Sequence, residues 1–438
     1  GGGEVVVSPP PPQVGPLFQG YGTHYVDLWV GTPPQRQTLI VDTGSGITAF
    51  PCASCANCGQ GYHSDGPFVE MDSSTFRRMV GCGECDMGRC SGQTCKVSMR
   101  YQEGSSWSAY EAEDVAYAGG PHDEALSIEE PERKEEAEGA EEAEGAEMDG
   151  ADPYRAMNYG FRLRFGCQTK LTGLFKTQLA DGIMGMENGK NAFWRQMYKR
   201  GGGSVMGHEV FAMCFAKKND ADRGGTGAGA LTLGGYDERL HRTPVVFAEN
   251  LSKSGWYSVY VRNIYLKAGV EEDEGGEGRS LVTRVDVPSD LMNKGHVIVD
   301  SGTTDSYFSS SIGAPFRKAW EEISDFPVPR GRQTVALTEE MLDALPVVMI
   351  QLRATENVLD GDPAATKGLD PAHAPGLAGA VDPTNPFDVL LEVPARHYME
   401  RREDGYSFHL HFTENSGSVM GGNVMAGHDV VFDVENSR

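Results

Sequence analysis

The sequence predicts a mainly β protein built as two β-rich lobes with a cleft between them. Three observations carry this expectation. Most of the chain breaks into short runs rich in β-branched and aromatic residues, each bounded by turn-forming residues. Helical patterns are few. One motif occurs twice, as LIVDTGSG at 39–46 and VIVDSGTT at 297–304, with its aspartates 258 residues apart.

Taken in order, residues 1–16 read as a Pro-rich N-terminal linker, with PPPPQVGP at its end. From Tyr21 the pattern changes. HYVDLWVGTPPQRQTLIVD alternates apolar and polar residues around Gly-Thr-Pro-Pro, which predicts a hairpin delivering a buried strand to Asp42. Further β runs are CKVSMRYQEGSSW, GFRLRFGC, GALTLGGYD, WYSVYVRNIYL, GHVIVDSGTT, LPVVMIQL, GYSFHLHF and HDVVFDV. Helices are expected at 191–200, 314–325 and 338–345. The lobes divide at 17–243 and 244–438. Three stretches read as surface excursions: an acidic insertion at 119–156, VEEDEGGEGR at 270–279, and a Pro/Ala/Gly/Asp-rich segment at 354–386.

The formal charge of −25 argues against a nucleic-acid or anionic-membrane surface. About half of it is local: residues 123–152 hold 14 Asp/Glu against Arg133 and Lys134, and EEAEGA repeats in tandem at 135–146. Such a stretch buries too little apolar surface to offset ordering, and reads as a disordered or loosely helical solvated loop. No stretch reaches the roughly 18 apolar residues of a spanning helix. A chain opening on Gly1 is expected to be a trimmed fragment, and a membrane anchor beyond Arg438 stays open.

Seven of nine cysteines fall between 52 and 95: Cys52, Cys55, Cys58, Cys82, Cys85, Cys90 and Cys95. Two readings compete. The pairs 55/58 and 82/85 have zinc-site spacing, but the gap between them is long and only His63 lies nearby. A loop-rich segment this dense in cysteine otherwise reads as a disulfide knot of an oxidising compartment, and this is preferred. With Cys167 the seven make four bridges of undetermined connectivity, leaving Cys214 odd. The sequon Asn250-Leu251-Ser252 suits a secretory route.

The repeated motif has a chemical logic. An apolar run fixes each strand in the core, so that Asp42 and Asp300 emerge at its end. Gly44 and Gly302 allow a tight turn and close backbone approach. Ser45 and Thr303 can donate to the outer carboxylate oxygens, and Thr43 and Ser301 can bond across to the opposite strand. Two carboxylates sharing a site cannot both ionise cheaply, so one proton is held between them. One carboxylate then serves as general base on a water while the other, protonated, donates to a carbonyl oxygen.

With these residues in place, the chain resembles the pepsin-type aspartic proteases over nearly all of 17–438. Each lobe of that family carries a second, apolar-apolar-Gly signature, matched by Ile183-Met184-Gly185 and Val419-Met420-Gly421. YQEGSSWSAY matches the substrate-covering flap (about 97–110), with Tyr101 in the tyrosine position and Gly104-Ser105 at the tip. FPCASCANCG, then CGECDMGRC and TC, resembles the cysteine-rich insertion (52–95) of the nepenthesin-like branch, and the block order resembles plasmepsin V and its relatives. Two departures stand out: Ala49 replaces a Trp common in pepsins, and Gln102 stands where a flap cysteine is associated with plasmepsin V. The chain also stops at FDVENSR, before the Ile-Gly-Phe/Leu-Ala strand the family implies.

The resemblance implies an aspartic endopeptidase of the secretory pathway, acting as a monomer on extended polypeptides, with no metal, organic cofactor or nucleic acid. The alternative is a non-catalytic peptide-binding or inhibitor-decoy relative. Other features are read structurally: Trp107 as flap packing, GTGAGA (225–230) as a glycine loop entering a strand, GMENGKN (185–191) as no phosphate loop, and His296 as a strand-entry histidine.

Overall fold

A computed structural model describes residues 9–118, 160–201, 205–216, 224–272, 278–329, 333–359 and 368–438. The acidic insertion expected at 119–156 lies outside these residues.

The predicted hairpin forms as strands His24–Val30 and Gln35–Asp42, paired antiparallel from Tyr25↔Ile40 to Val30↔Gln35. Leu39, Val41, Leu28 and Val30 are fully buried beneath it. Strand Gly182–Gly185 then lies parallel to Gln35–Asp42, with Gly185 opposite Asp42. The C-terminal half repeats this device: strand Val297–Val299 runs parallel to Ser418–Met420. The molecule is accordingly mainly β, with two large apolar cores. One gathers Phe50, Phe68, Phe165, Trp194 and Phe211, the other Phe308, Phe316, Trp320, Tyr398 and Phe408. Truncating any one of these rings to Ala would cost about 3–5 kcal/mol.

The three expected helices are present with shifted ends. Helix Ser310–Glu321 starts earlier than its apolar pattern suggests because Ser309 caps it, accepting from the Ser311 amide. Its inner face buries Ile312, Phe316, Ala319 and Trp320, the spacing of one helical stripe. Helix Phe193–Gly201 buries Phe193, Trp194 and Met197, and helix Glu339–Asp343 is capped by Thr338.

The chain does not respect the expected segment boundaries. Strand Gln13–Gln19 takes residues 13–16 out of the linker and pairs them with Gly227–Leu233, because Leu17 and its neighbours have an apolar face to bury. Strand Asp429–Asp433 crosses back to the first lobe and pairs with Val210–Phe215, placing Phe432 against Phe211 at 4.7 Å. The segment expected as an excursion at 354–386 begins with a strand, Ala354–Leu359, paired with Val246–Ala248. Of the stretch expected at 270–279, the described residues extend two paired strands, with Glu271 opposite Arg279 and Glu272 opposite Gly278.

All eight cysteines expected in bridges pair: Cys52–Cys167, Cys55–Cys58, Cys82–Cys90 and Cys85–Cys95, leaving Cys214 free. These bridges replace the zinc reading, since a bridged sulfur is no thiolate ligand. Cys52–Cys167 fastens strand Ala49–Pro51, just downstream of the first aspartate loop, to strand Phe161–Thr172. GTGAGA enters strand Gly227–Leu233, and His296 sits in the turn before Val297 with φ of 72°.

Candidate active site

Asp42 and Asp300 end equivalent strands and meet at the junction of the lobes. Their surroundings are nearly two-fold symmetric. The Gly44 amide donates to Asp42 Oδ1 at 2.8 Å, and the Gly302 amide donates to Asp300 Oδ1 at 2.9 Å. The Ser45 hydroxyl donates to Asp42 Oδ2, and the Thr303 hydroxyl to Asp300 Oδ2 at 2.6 Å. Each carboxylate thus has its inner and outer oxygen held by its own loop.

A second set of bonds locks one loop to the other. The Thr43 amide donates to Ser301 Oγ at 3.1 Å, and the Ser301 amide returns a bond to Thr43 Oγ1 at 2.9 Å. Thr43 Oγ1 donates to the Val299 carbonyl at 2.9 Å, and Ser301 Oγ to the Val41 carbonyl at 2.7 Å. Each hydroxyl therefore donates once and accepts once, in a buried site where an unmatched hydroxyl would be costly. The glycines explain themselves here. A Cβ on Gly44 would lie 2.7 Å from Asp300 Cγ, and one on Gly302 would run into the Asp42 carboxylate.

The second signature in each lobe supports the loops from behind. The Met186 amide donates to the Asp42 carbonyl at 2.8 Å, and the Asp300 amide to the Met420 carbonyl at 3.0 Å. Side chains at Gly185 and Gly421 would collide with backbone atoms of Ile47 and Asp305. Burial holds the Asp42 carboxyl well above the usual range, and the Asp300 charge beside it pushes the same way; bonds from Ser45 and Gly44 pull it partly back.

The expected flap is a hairpin of strands Thr94–Arg100 and Ser106–Ala118, closed by a Tyr101–Ser105 turn that needs Gly104 at φ of 101°. Tyr101 packs on Phe175 at 5.0 Å, and its hydroxyl accepts from Trp107 Nε1 at 3.2 Å. Burial pushes the phenol pKa up, with the Asp42 charge adding to it. Trp107 is buried, in keeping with a packing role. Ser105 is not at the exposed tip. It is buried, and its hydroxyl accepts from the Leu174 amide at 2.9 Å, so it anchors the base of the turn.

Two neighbours of the pair were not anticipated. Trp256 is about half exposed, and its indole Nε1 donates to the Gly44 carbonyl at 2.8 Å. Glu187 donates its amide to the Ser45 carbonyl at 2.9 Å and carries a half-buried carboxylate beside Gly46, which burial shifts upward. Trp256 reaches this loop from the other half of the chain, so no local pattern could have marked it. Glu187 lies within GMENGKN, next to the Gly185 signature, and its position was readable from that adjacency.

A family model described as "Xylanase inhibitor N-terminal" matches residues 24–235. Aspartic protease 5 of Toxoplasma gondii is 30% identical over 251 residues, covering 52% of this chain and 21% of that protein. Plasmepsin V of Plasmodium falciparum is 33% identical over 98 residues, 22% of this chain and 16% of its own length. Nepenthesin-2 of Nepenthes gracilis is 27% identical over 105 residues, 23% of each. The chain thus spans less than a quarter of the length of each of these relatives. Taken with the paired aspartate loops and their apolar-Gly supports, these matches support a pepsin-type aspartic protease.

Proposed function

We propose that this chain is an aspartic endopeptidase that hydrolyses extended polypeptides with a water activated by Asp42 and Asp300. The observation that carries the proposal is the cross-braced loop pair, which holds two carboxyls within reach of each other while satisfying all their outer hydrogen bonds. A single proton shared by the pair leaves one base and one acid. The ionised carboxyl takes a proton from water as its oxygen attacks the scissile carbonyl. The protonated carboxyl donates to the carbonyl oxygen, giving a neutral gem-diol. One carboxyl then gives a proton to the amide nitrogen while the other takes one from a gem-diol hydroxyl, and the C–N bond breaks to leave an acid, an amine and one proton on the pair. Tyr101, carried on the flap beside Asp42, closes the substrate against the pair.

The four disulfides support work in the secretory pathway. Both carboxylates come from one chain, which supports a monomer as the working unit. A non-catalytic peptide-capture or inhibitor-decoy role would leave the braced dyad and its crowded glycines without a purpose.

The elevated Asp42 pKa sets the pH behaviour. A carboxyl that holds its proton more tightly when folded stabilises the fold fully below the ordinary carboxylate range, and that stability fades as pH rises through its folded-state value. The same proton is needed for catalysis, so peptide cleavage is expected to be greatest in acid and to fall toward neutrality. Cleavage of a peptide library between pH 3 and 7, with and without pepstatin, tests the proposal. No pepstatin-sensitive cleavage anywhere in that range would overturn it.

A further inference from the structure

We propose that Asp305, His409 and His411 form a binding site for a divalent transition metal, zinc by the character of the donors. The three residues lie apart from the peptide-cleaving pair but on the continuation of its loop. His409 and His411 are two apart on the run entering strand Leu410–Glu414, so their rings project to one side. That strand lies parallel to Ser306–Ser309, with Ser306 opposite Leu410, which brings Asp305 against both rings. Asp305 Oδ1 lies 2.8 Å from His409 Nδ1, and Asp305 Oδ2 lies 2.8 Å from His411 Nε2. One ligand atom from each residue falls within 4.8 Å of the others.

Two imidazoles and a carboxylate are the protein ligand set of an open zinc site. Tetrahedral zinc keeps neighbouring ligand atoms about 3.3 Å apart, so a coordinating Asp305 oxygen draws back from its ring by about half an ångström while the two ring nitrogens, within 4.8 Å of each other, close on the ion. The surroundings are also built as a ligand support. With Nδ1 on the metal, the His409 ring proton sits on Nε2, and Ser407 Oγ at 2.7 Å and Glu400 Oε2 at 3.0 Å stand at that atom to accept it. Such a carboxylate behind a metal-bound histidine fixes its tautomer and raises its basicity. The Arg402 guanidinium, 3.3 Å from the same nitrogen, is paired with Glu400 at 2.6 Å. His411 stacks on Tyr307 at 4.7 Å, and the His409 carbonyl accepts from Asn423 Nδ2 at 2.9 Å. Both rings are thus held before any ion arrives.

The position gives the site a consequence. Asp305 is two residues beyond Thr303, whose hydroxyl holds Asp300. An ion joining Asp305 to the two histidines would clamp this loop to the neighbouring strand.

The test uses the full chain with Cys214→Ser, which removes the free thiol, after treatment with a chelator. Titration with zinc by calorimetry is expected to show one saturable site, with a rise in melting temperature, and cobalt is expected to give tetrahedral visible absorption. His411→Gln, on a partly buried ring, should weaken zinc at least tenfold with the circular dichroism unchanged, and His409→Gln likewise. Asp300→Asn should leave zinc affinity as it was. The proposal fails if the parent chain shows no saturable binding. It fails equally if His411→Gln binds as tightly as the parent, or if Asp300→Asn abolishes binding.

Discussion

The loops after Asp42 and Asp300 share one backbone and differ in how they are moored. Up to the third residue after the aspartate they are near copies, bond for bond. Five residues after it they part: Ile47 packs into the apolar cluster around Val97, Trp107 and Ile183, whereas Asp305 lies between two imidazoles. Further on, the first loop reaches a covalent anchor at Cys52–Cys167. The second reaches strand Ser306–Ser309 and its polar network through Asn423. The part that positions carboxylates tolerates no divergence, because a glycine or hydroxyl out of place there displaces the opposite aspartate. The mooring needs only to be rigid, and apolar packing, a disulfide or an ionic cluster each provide that.

The largest expected effect breaks the symmetric part. Asp42→Asn and Asp300→Asn should each reduce kcat on the order of 10²–10⁴-fold, and the double variant should lose little more, because the pair acts as one unit. Peptide cleavage by the three variants checks this; a double variant whose loss equals the product of the two single losses would show independent action. Next comes crowding across the junction. Gly302→Ala pushes a methyl at Asp42 while leaving its own loop intact, and a displacement of this kind costs about 10²-fold in rate. Unchanged turnover in that variant would show that the loops separate more freely than their contacts indicate.

The moorings are expected to act on stability instead. Replacing Cys52 and Cys167 with Ser removes a link across 115 residues and should cost about 4 kcal/mol, read as a fall in melting temperature. The smallest effect concerns the flap. Tyr101→Phe deletes the acceptor for Trp107 Nε1 and should lower stability by about 1 kcal/mol, read as a small fall in melting temperature.

The difference between loop and mooring also decides what the sequence discloses. Asp42, Gly44, Ser45 and their partners at 300–303 occupy two short runs, and the chemistry of each is readable within a few residues. The apolar-Gly signatures were legible only through the family resemblance; the close backbone packing that demands glycine there is a contact of the folded chain. Contacts made across long separations were not. Asp305 meets His411 across 106 residues, and Trp256 meets Gly44 across 212. Cysteine count required four bridges but could not select their partners, and only the pairing of strand Ala49–Pro51 with Phe161–Thr172 brings Cys52 to Cys167. Ser105 was placed at the flap tip because its neighbour Gly104 is there; the burial of its hydroxyl against Leu174 depends on a segment outside the hairpin.

Strand Asp429–Asp433 has a bearing on synthesis. It is the edge partner of Val210–Phe215, so the first lobe's large sheet lacks that strand until residues 429–433 have left the ribosome. A nascent first lobe therefore waits with Phe211 uncovered by Phe432 and an unpaired apolar edge, the kind of surface that chaperones hold and that aggregates when left alone. Maturation of the dyad and completion of that sheet depend on the same late stretch of chain. A half-made molecule has neither.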